Sequence, residues 1–273
     1  MRVRARLRAR AHPPSLPGRA PARDAERTTC LHAGVPVTPD VSARLAQLAE
    51  QYGLPAAAPE RLAVLLELVA GEPSSITTVR DPAQGVDVHV ADSLVALELA
   101  EVRKARRIAD LGSGGGFPGL VLAIALPEAH VAMVESVGRK VAFIGGAIER
   151  LGLANASAIP ARAEEWAQGL GAHDLVTARA LAPLPVLVEY AAPLLALGGS
   201  LAAWKGARDA AEEADGRAAA AALGMSDPAP HAVQPFATAQ RRNLYLSSKL
   251  SPTPPKYPRR AGMARKRPIR AST

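Results

Sequence analysis

The sequence predicts an α/β fold: a mostly parallel sheet with helices on both faces, preceded by a helical extension. Three observations carry this. From Arg107 onward, short runs rich in Val, Ile and Ala alternate with segments of helical period. About seventy residues of helical spacing stand ahead of the first such run. Between that run and the next helix lies ADLGSGGGFPGL, residues 109–120, with five glycines in twelve positions behind an acidic residue.

Taken in order, residues 1–37 mix Arg, Pro, Ala and Gly without a period and are expected to be disordered. A first helix is expected from Pro39 through Leu45 and Leu48 to Tyr52-Gly53. A second begins at Pro59, a good first-turn residue, and runs through Leu62, Leu65, Leu66 and Val69 to Gly71. After a loop over 72–85, a third is placed at Val86–Val102. RIADL (107–111) is the first strand, with a helix from Pro118. VAMVE (131–135) precedes a helix over Val137–Leu151, and SAIPA (157–161) a short one over Glu164–Gln168. DLVTA (174–178) precedes a helix over Leu184–Leu195, and SLAAW (200–204) one over 207–222. HAVQP and NLYLS, with no helix between them, are expected as an antiparallel pair ending the sheet. Trp204 ends an apolar strand and is expected in the core.

Composition narrows the function. Aromatics make up 3% of the chain and hydrophobic residues 48%, so Ala, Val and Leu must build the core. Cys30 is the single cysteine, which excludes an internal disulfide and a zinc site of several thiolates. The histidines are scattered without ligand spacing, so no metal is expected. MRVRARLRAR lacks an apolar stretch behind it and does not read as a secretory signal. Residues 181–204 are apolar but hold Pro183, Pro185, Glu189 and Pro193, which suits a buried helix, turn and strand rather than a membrane span. A soluble, cytoplasmic protein is expected. Residues 1–40 carry a net charge of +5, residues 249–273 +8, and the stretch between them −5. Basic ends around a mildly acidic body suit a phosphate backbone, where each neutralised phosphate releases a counterion.

A glycine run between a strand and a helix lets backbone N–H groups surround a ligand. Two templates fit. Gly114-x-Gly116-x-x-Gly119 with Glu135 matches the dinucleotide fingerprint. Asp110-x-Gly112-x-Gly114-x-Gly116 matches the acidic-glycine pattern of S-adenosylmethionine-dependent methyltransferases, with Glu135 again able to hold ribose hydroxyls. The helices ahead of the glycine strand favour the second. A P-loop is excluded because no Gly-Lys-Ser/Thr follows.

Four stretches carry a closer likeness: TTVRDPAQGVDVHVADSL (77–94), ADLGSGGGFPGL (109–120), VESVGRKVAFI (134–144) and PTPPKYPRRAGMARKRP (252–268). In order and spacing they resemble the bacterial small-subunit rRNA methyltransferase G family, over about residues 40–270. The resemblance implies a class I, Rossmann-like methyltransferase that uses S-adenosylmethionine to methylate N7 of one guanine of 16S rRNA, conventionally guanine 527. On this reading 1–37 is a basic extension, 38–104 a helical subregion, 105–248 the methyltransferase core and 249–273 a basic tail. It implies Gly112, Phe117, Ala163, Glu164 and Arg179 as cofactor residues, with Asp110, Gly114 and Glu135 as further candidates. Arg139, Lys140, Lys205, Lys256, Arg259 and Arg260 are candidates for rRNA contact. The partner is 16S rRNA, the small subunit or an assembly intermediate, and the enzyme is expected to be a monomer. Two departures stand out: Ser75-Ile76-Thr77 where the family has Asn-Leu-Thr, and Asn243 where it has a histidine.

Guanine N7 carries an in-plane lone pair and needs no general base, so no catalytic residue is required beyond positioning; Arg179 is the candidate for it. Asp110 is the candidate carboxylate for the positive charge that arrives on the base. Three alternatives make different predictions. A methyltransferase for a small molecule or another nucleic acid would not need both basic ends. An RNA-binding assembly factor with a vestigial pocket would not bind S-adenosylmethionine. A dinucleotide oxidoreductase would bind NAD.

Overall fold

The structure is a computed structural model and describes residues 37–272. The disorder expected of residues 1–37 lies outside the described residues, apart from Val37, whose N–H donates to Glu67.

Helices α1 (Pro39–Tyr52) and α2 (Ala58–Gly71) begin and end where their sequence punctuation directs. Thr38 caps α1 by accepting from Val41 N, and Gly53 closes it in the left-handed conformation, φ 64°. The third helical region departs from expectation. It starts earlier, with α3 (Pro82–Gly85), because the Asp81 side chain caps Ala83 N and Pro82 sits at the first turn. It then loosens into a π-turn over Val86–Ala91, tightens through α4 (Asp92–Leu94) and a 3₁₀ turn over Val95–Glu98, and breaks at Leu99. Ser93 Oγ donates to the His89 carbonyl inside this stretch, a side-chain bond that competes with the regular ladder. The short α5 (Ala100–Lys104) follows.

From there strand and helix alternate as expected: β1 (Arg107–Leu111), α6 (Gly119–Ala125), β2 (His130–Glu135), α7 (Gly138–Leu151), β3 (Ala156–Pro160), β4 (His173–Arg179), α8 (Leu184–Ala191), β5 (Leu195–Lys205), α9 (Ala210–Leu223), β6 (Ala229–Val233) and β7 (Arg242–Ser248). Two local expectations fail. The short helix at 164–168 is two 3₁₀ turns, Ala163–Glu165 and Ala167–Gly169. Gly169 lies so close to the Trp166 ring that a Cβ there would sit 2.4 Å from it. The helix opening at Leu184 stops at Ala191, because Pro193 cannot continue it, and Leu195 already pairs with His173 in the sheet.

The seven strands lie in the order β3-β2-β1-β4-β5-β7-β6, parallel except at the end, where β7 runs antiparallel between β5 and β6. Side chains alternate between two cores. Ile108, Val131, Met133, Leu175, Ala202, Trp204 and Leu244 face α1, α2, α6 and α7. Ala109, Leu111, Val134, Val176, Ala178, Leu201 and Tyr245 face α8 and α9. Burial on both faces explains why the central strands β1, β2, β4 and β5 are mostly apolar.

The basic segment after β7 is not a free tail. It packs on the α8 side, with a last helix α10 (Met263–Lys266) and Ala264 buried. Lys249 is buried against the Ala192 carbonyl and Thr253. Arg259 grips the buried carboxylate of Glu189 with two hydrogen bonds. Gly262 N donates to Glu164 and Ala271 N to Asp215.

Candidate active site

The glycine loop sits at the carboxyl ends of β1 and β2, where open α/β sheets bind ligands. Asp110 anchors it from below. Its carboxylate accepts from Gly119 N at 3.2 Å and from Thr177 Oγ1 on the neighbouring strand at 2.8 Å. It is wholly buried, and burial pushes its pKa up to about 6. Glu135 anchors the loop from the side: Oε2 accepts from Gly114 N at 3.0 Å and Oε1 from Val137 N at 2.8 Å.

The glycines serve packing as well as the turn. Gly112 and Gly116 adopt φ of 65° and 86°, and a Cβ on them would lie 2.5 Å from Leu181 and 2.3 Å from Leu120. They allow the loop its turn and its packing, rather than only clearing space for a ligand.

Above the loop opens a cavity of about 420 Å³. Gly112, Glu135, Ala163 and Glu164 line it as expected. Lys140 lines it too, although it was expected at an RNA surface. Ser136, Arg162, Ala180, Tyr190 and Arg265 also line it and were not anticipated. Tyr190 and Arg265 come from α8 and α10, distant in sequence. The phenol of Tyr190 is held above its ordinary pKa by burial and by the adjacent Glu164 carboxylate.

Four other expected residues lie elsewhere. Asp110 and Gly114 belong to the loop's foundation and do not line this cavity. Phe117 is buried, stacked on His89 at 4.4 Å between ring centroids, with the Arg179 guanidinium 5.6 Å from its own ring centroid. Arg179 turns away from the cavity and donates to the Val88 carbonyl at 3.1 Å and to Asp92 Oδ2 at 3.0 Å. His89 donates to the Val79 carbonyl and is kept neutral by burial, which lowers its pKa.

A second hollow, of about 210 Å³, adjoins the first and shares Ala180 with it. Ala180 has a φ of 52°, an unusual conformation for a residue with a Cβ and one that concentrates at functional sites. Asp92, Arg179, Trp204, Lys205, Arg242 and Asn243 lie around this hollow. Trp204 is buried as expected, and its indole donates to the Asp92 carbonyl at 2.6 Å. Asn243, the family departure, donates to the Gly206 carbonyl at 2.7 Å and so fixes the end of β5. The other departure packs on the glycine loop: Ile76 is buried beside Gly115 while Ser75 is exposed.

Of the expected RNA contacts, Arg139, Lys256 and Arg260 are exposed. Lys205 instead pairs with Glu212 at 2.6 Å, and Arg259 faces inward onto Glu189. In both cases a carboxylate from another element lies within reach.

The mostly parallel, seven-stranded sheet with helices on both faces is the class I S-adenosylmethionine-dependent methyltransferase fold. The solved structure of the S-adenosylmethionine-dependent methyltransferase SibL is similar, with a TM-score of 0.51 and 15% identity over 79% of this chain and 71% of that one. The model of the rRNA small subunit methyltransferase G family matches residues 61–244. Proteins named ribosomal RNA small subunit methyltransferase G are similar as well. That of Rubrobacter xylanophilus is 41% identical over 77% of this chain and 85% of its own, and that of Desulfitobacterium hafniense 38% over 72% and 83%. The chain belongs to this family. Among the described residues, no helix is long and apolar enough to cross a membrane.

Proposed function

We propose that this protein transfers a methyl group from S-adenosylmethionine to N7 of one guanine of 16S rRNA, as a cytoplasmic monomer acting on the rRNA, the small subunit or an assembly intermediate. The observation that carries the reading is the cavity of about 420 Å³ at the carboxyl edge of the sheet, in a chain of this family, with the second hollow beside it.

The donor set suits that cofactor. Glu135 is held by two backbone N–H groups in an orientation fit for ribose hydroxyls. Lys140, Arg162 and Arg265 offer cations to a carboxylate, while Ala163 and Glu164 form the wall expected at the adenine. When bound, the cofactor supplies an electrophilic methyl group on a sulfonium. The chain's own residues then position the acceptor, and neither cavity is lined by histidine or cysteine. That agrees with an acceptor such as N7, whose lone pair needs no base, and leaves alignment as the main source of rate.

The test is labelled S-adenosylmethionine with 16S rRNA or small subunits lacking the modification, mapped by cleavage chemistry selective for N7-methylguanosine. One modified guanine is expected. Cofactor binding without that product would move the reading to another acceptor, and no binding would move it to an assembly factor.

A further inference from the structure

The second hollow contains a single carboxylate, Asp92, among its lining residues. Asp92 is 6% exposed, and its two oxygens are unequally used. Oδ2 accepts from Arg179 at 3.0 Å. Oδ1 lies 3.8 Å from Arg242 Nε, beyond hydrogen-bond length. An ionised carboxylate offers about four acceptor positions. Asp92 therefore keeps acceptor capacity while buried in the wall of an open hollow. It is also held still: Trp204 bonds its carbonyl, and Arg179 is fixed between Val88 and the Phe117 ring.

We propose that Asp92 selects guanine, its carboxylate accepting from N1–H and from the exocyclic N2 amine of a base seated in this hollow. The proposal deepens the guanine-N7 reading and rests on it. N1 and N2 lie on the Watson–Crick edge, and N7 on the other side of the purine. A guanine bound to Asp92 by that edge keeps N7 free for the neighbouring cavity, with which the hollow shares Ala180. Adenine would oppose its N1 lone pair to the carboxylate and bring no N2 amine, leaving the free acceptor positions of Asp92 unfilled. Transfer of the methyl group also leaves positive charge on the base, which a neighbouring carboxylate stabilises. Asp92 is thus a specificity residue that needs no proton transfer.

The experiment compares wild-type protein and Asp92→Asn on rRNA fragments carrying guanosine or inosine at the target position. Inosine lacks only the N2 amine. Wild-type kcat/KM is expected to fall about tenfold or more on inosine, the worth of a hydrogen bond to a charged group. The Asn side chain keeps an acceptor for Arg179 but turns N–H groups toward N1–H and N2. It should lower guanosine kcat/KM roughly 100-fold and bring the guanosine-to-inosine ratio close to one. S-adenosylhomocysteine affinity should stay within about threefold, showing that the variant is folded with its cofactor cavity intact. Equal wild-type rates on guanosine and inosine overturn the proposal whether or not the variant folds. A variant that slows both substrates equally, keeping the wild-type ratio, makes Asp92 merely structural and overturns it too. Absence of N7-methylguanosine from the wild-type reaction is a different result, and it overturns the guanine reading itself.

Discussion

The glycine loop and the C-terminal segment border the same cavity and reach it by opposite routes. The loop is local: from Asp110 to Gly119 it bonds to itself or to the two strands beside β1. The C-terminal segment is held by partners far away in the chain. Glu189 lies 70 positions from Arg259, Glu164 98 from Gly262, and Asp215 56 from Ala271. A run of Lys and Arg without acids reads as a free phosphate-binding tail because its countercharges belong to other elements. Local order shows in spacing; distant order does not.

The most forceful way to break the comparison is Arg259→Ala. It leaves the Glu189 carboxylate, 2% exposed, without its cation. Breaking a buried pair costs about 3–5 kcal/mol, so thermal unfolding should begin roughly 10 °C lower. Adding Glu189→Gln should recover part of the loss, because the orphaned charge is then gone. The salt dependence of RNA binding should not change. A smaller salt dependence with unchanged melting would instead return Arg259 to the RNA surface.

The same contrast decides what was legible in the sequence. The strands, the hairpin at the sheet's end and the loop's place between β1 and α6 all follow from period and punctuation. Gly112 and Glu135 could be placed at a cavity because they stand at the ends of β1 and β2, and Ala163-Glu164 through the family resemblance. Tyr190 and Arg265 could not, since only the packing of α8 and α10 brings them there. Asp92 was visible inside the 77–94 stretch, but nothing local shows that it meets Arg179, 87 positions on. Arg179 itself was assigned to the right edge of the sheet, and it lines the second hollow rather than the first. The residue after it, Ala180, is the one that touches both.

A second prediction sharpens the loop's side. Asp110 retains its proton in the folded protein up to about pH 6, whereas an unfolded aspartate releases it near 3.8. Between those values the native state binds more protons, so this group's contribution to stability falls as pH rises, then levels off above 6. Two pH units correspond to about 3 kcal/mol at most. Asp110→Asn cannot ionise. The stability of wild type relative to the variant should therefore drop by about 2–3 kcal/mol between pH 4 and pH 6.5, read from urea unfolding at each pH. Parallel profiles for the two proteins would mean that the buried carboxylate is not what ties the loop to pH.

The smallest effect belongs to the cations that no distant carboxylate claims. Lys256 and Arg260 flank Arg259 but stay exposed, and Lys256 rests 5.4 Å from the Tyr257 ring centroid. Replacing either with alanine should leave stability within about 0.5 kcal/mol. If each meets one phosphate of single-stranded rRNA, the slope of log affinity against log salt should shrink by about 0.7 per residue removed, and by twice that in the double variant. Arg139→Ala, at the start of α7, provides the matching measurement on the far side of the cavity. A slope that responds at Lys256 and Arg260 but not at Arg139 would run the rRNA backbone along the C-terminal segment. The segment that brings Arg265 to the cavity would then also lie beneath the substrate, and the basic run would be both packed structure and phosphate track, divided residue by residue according to which side chains meet a carboxylate.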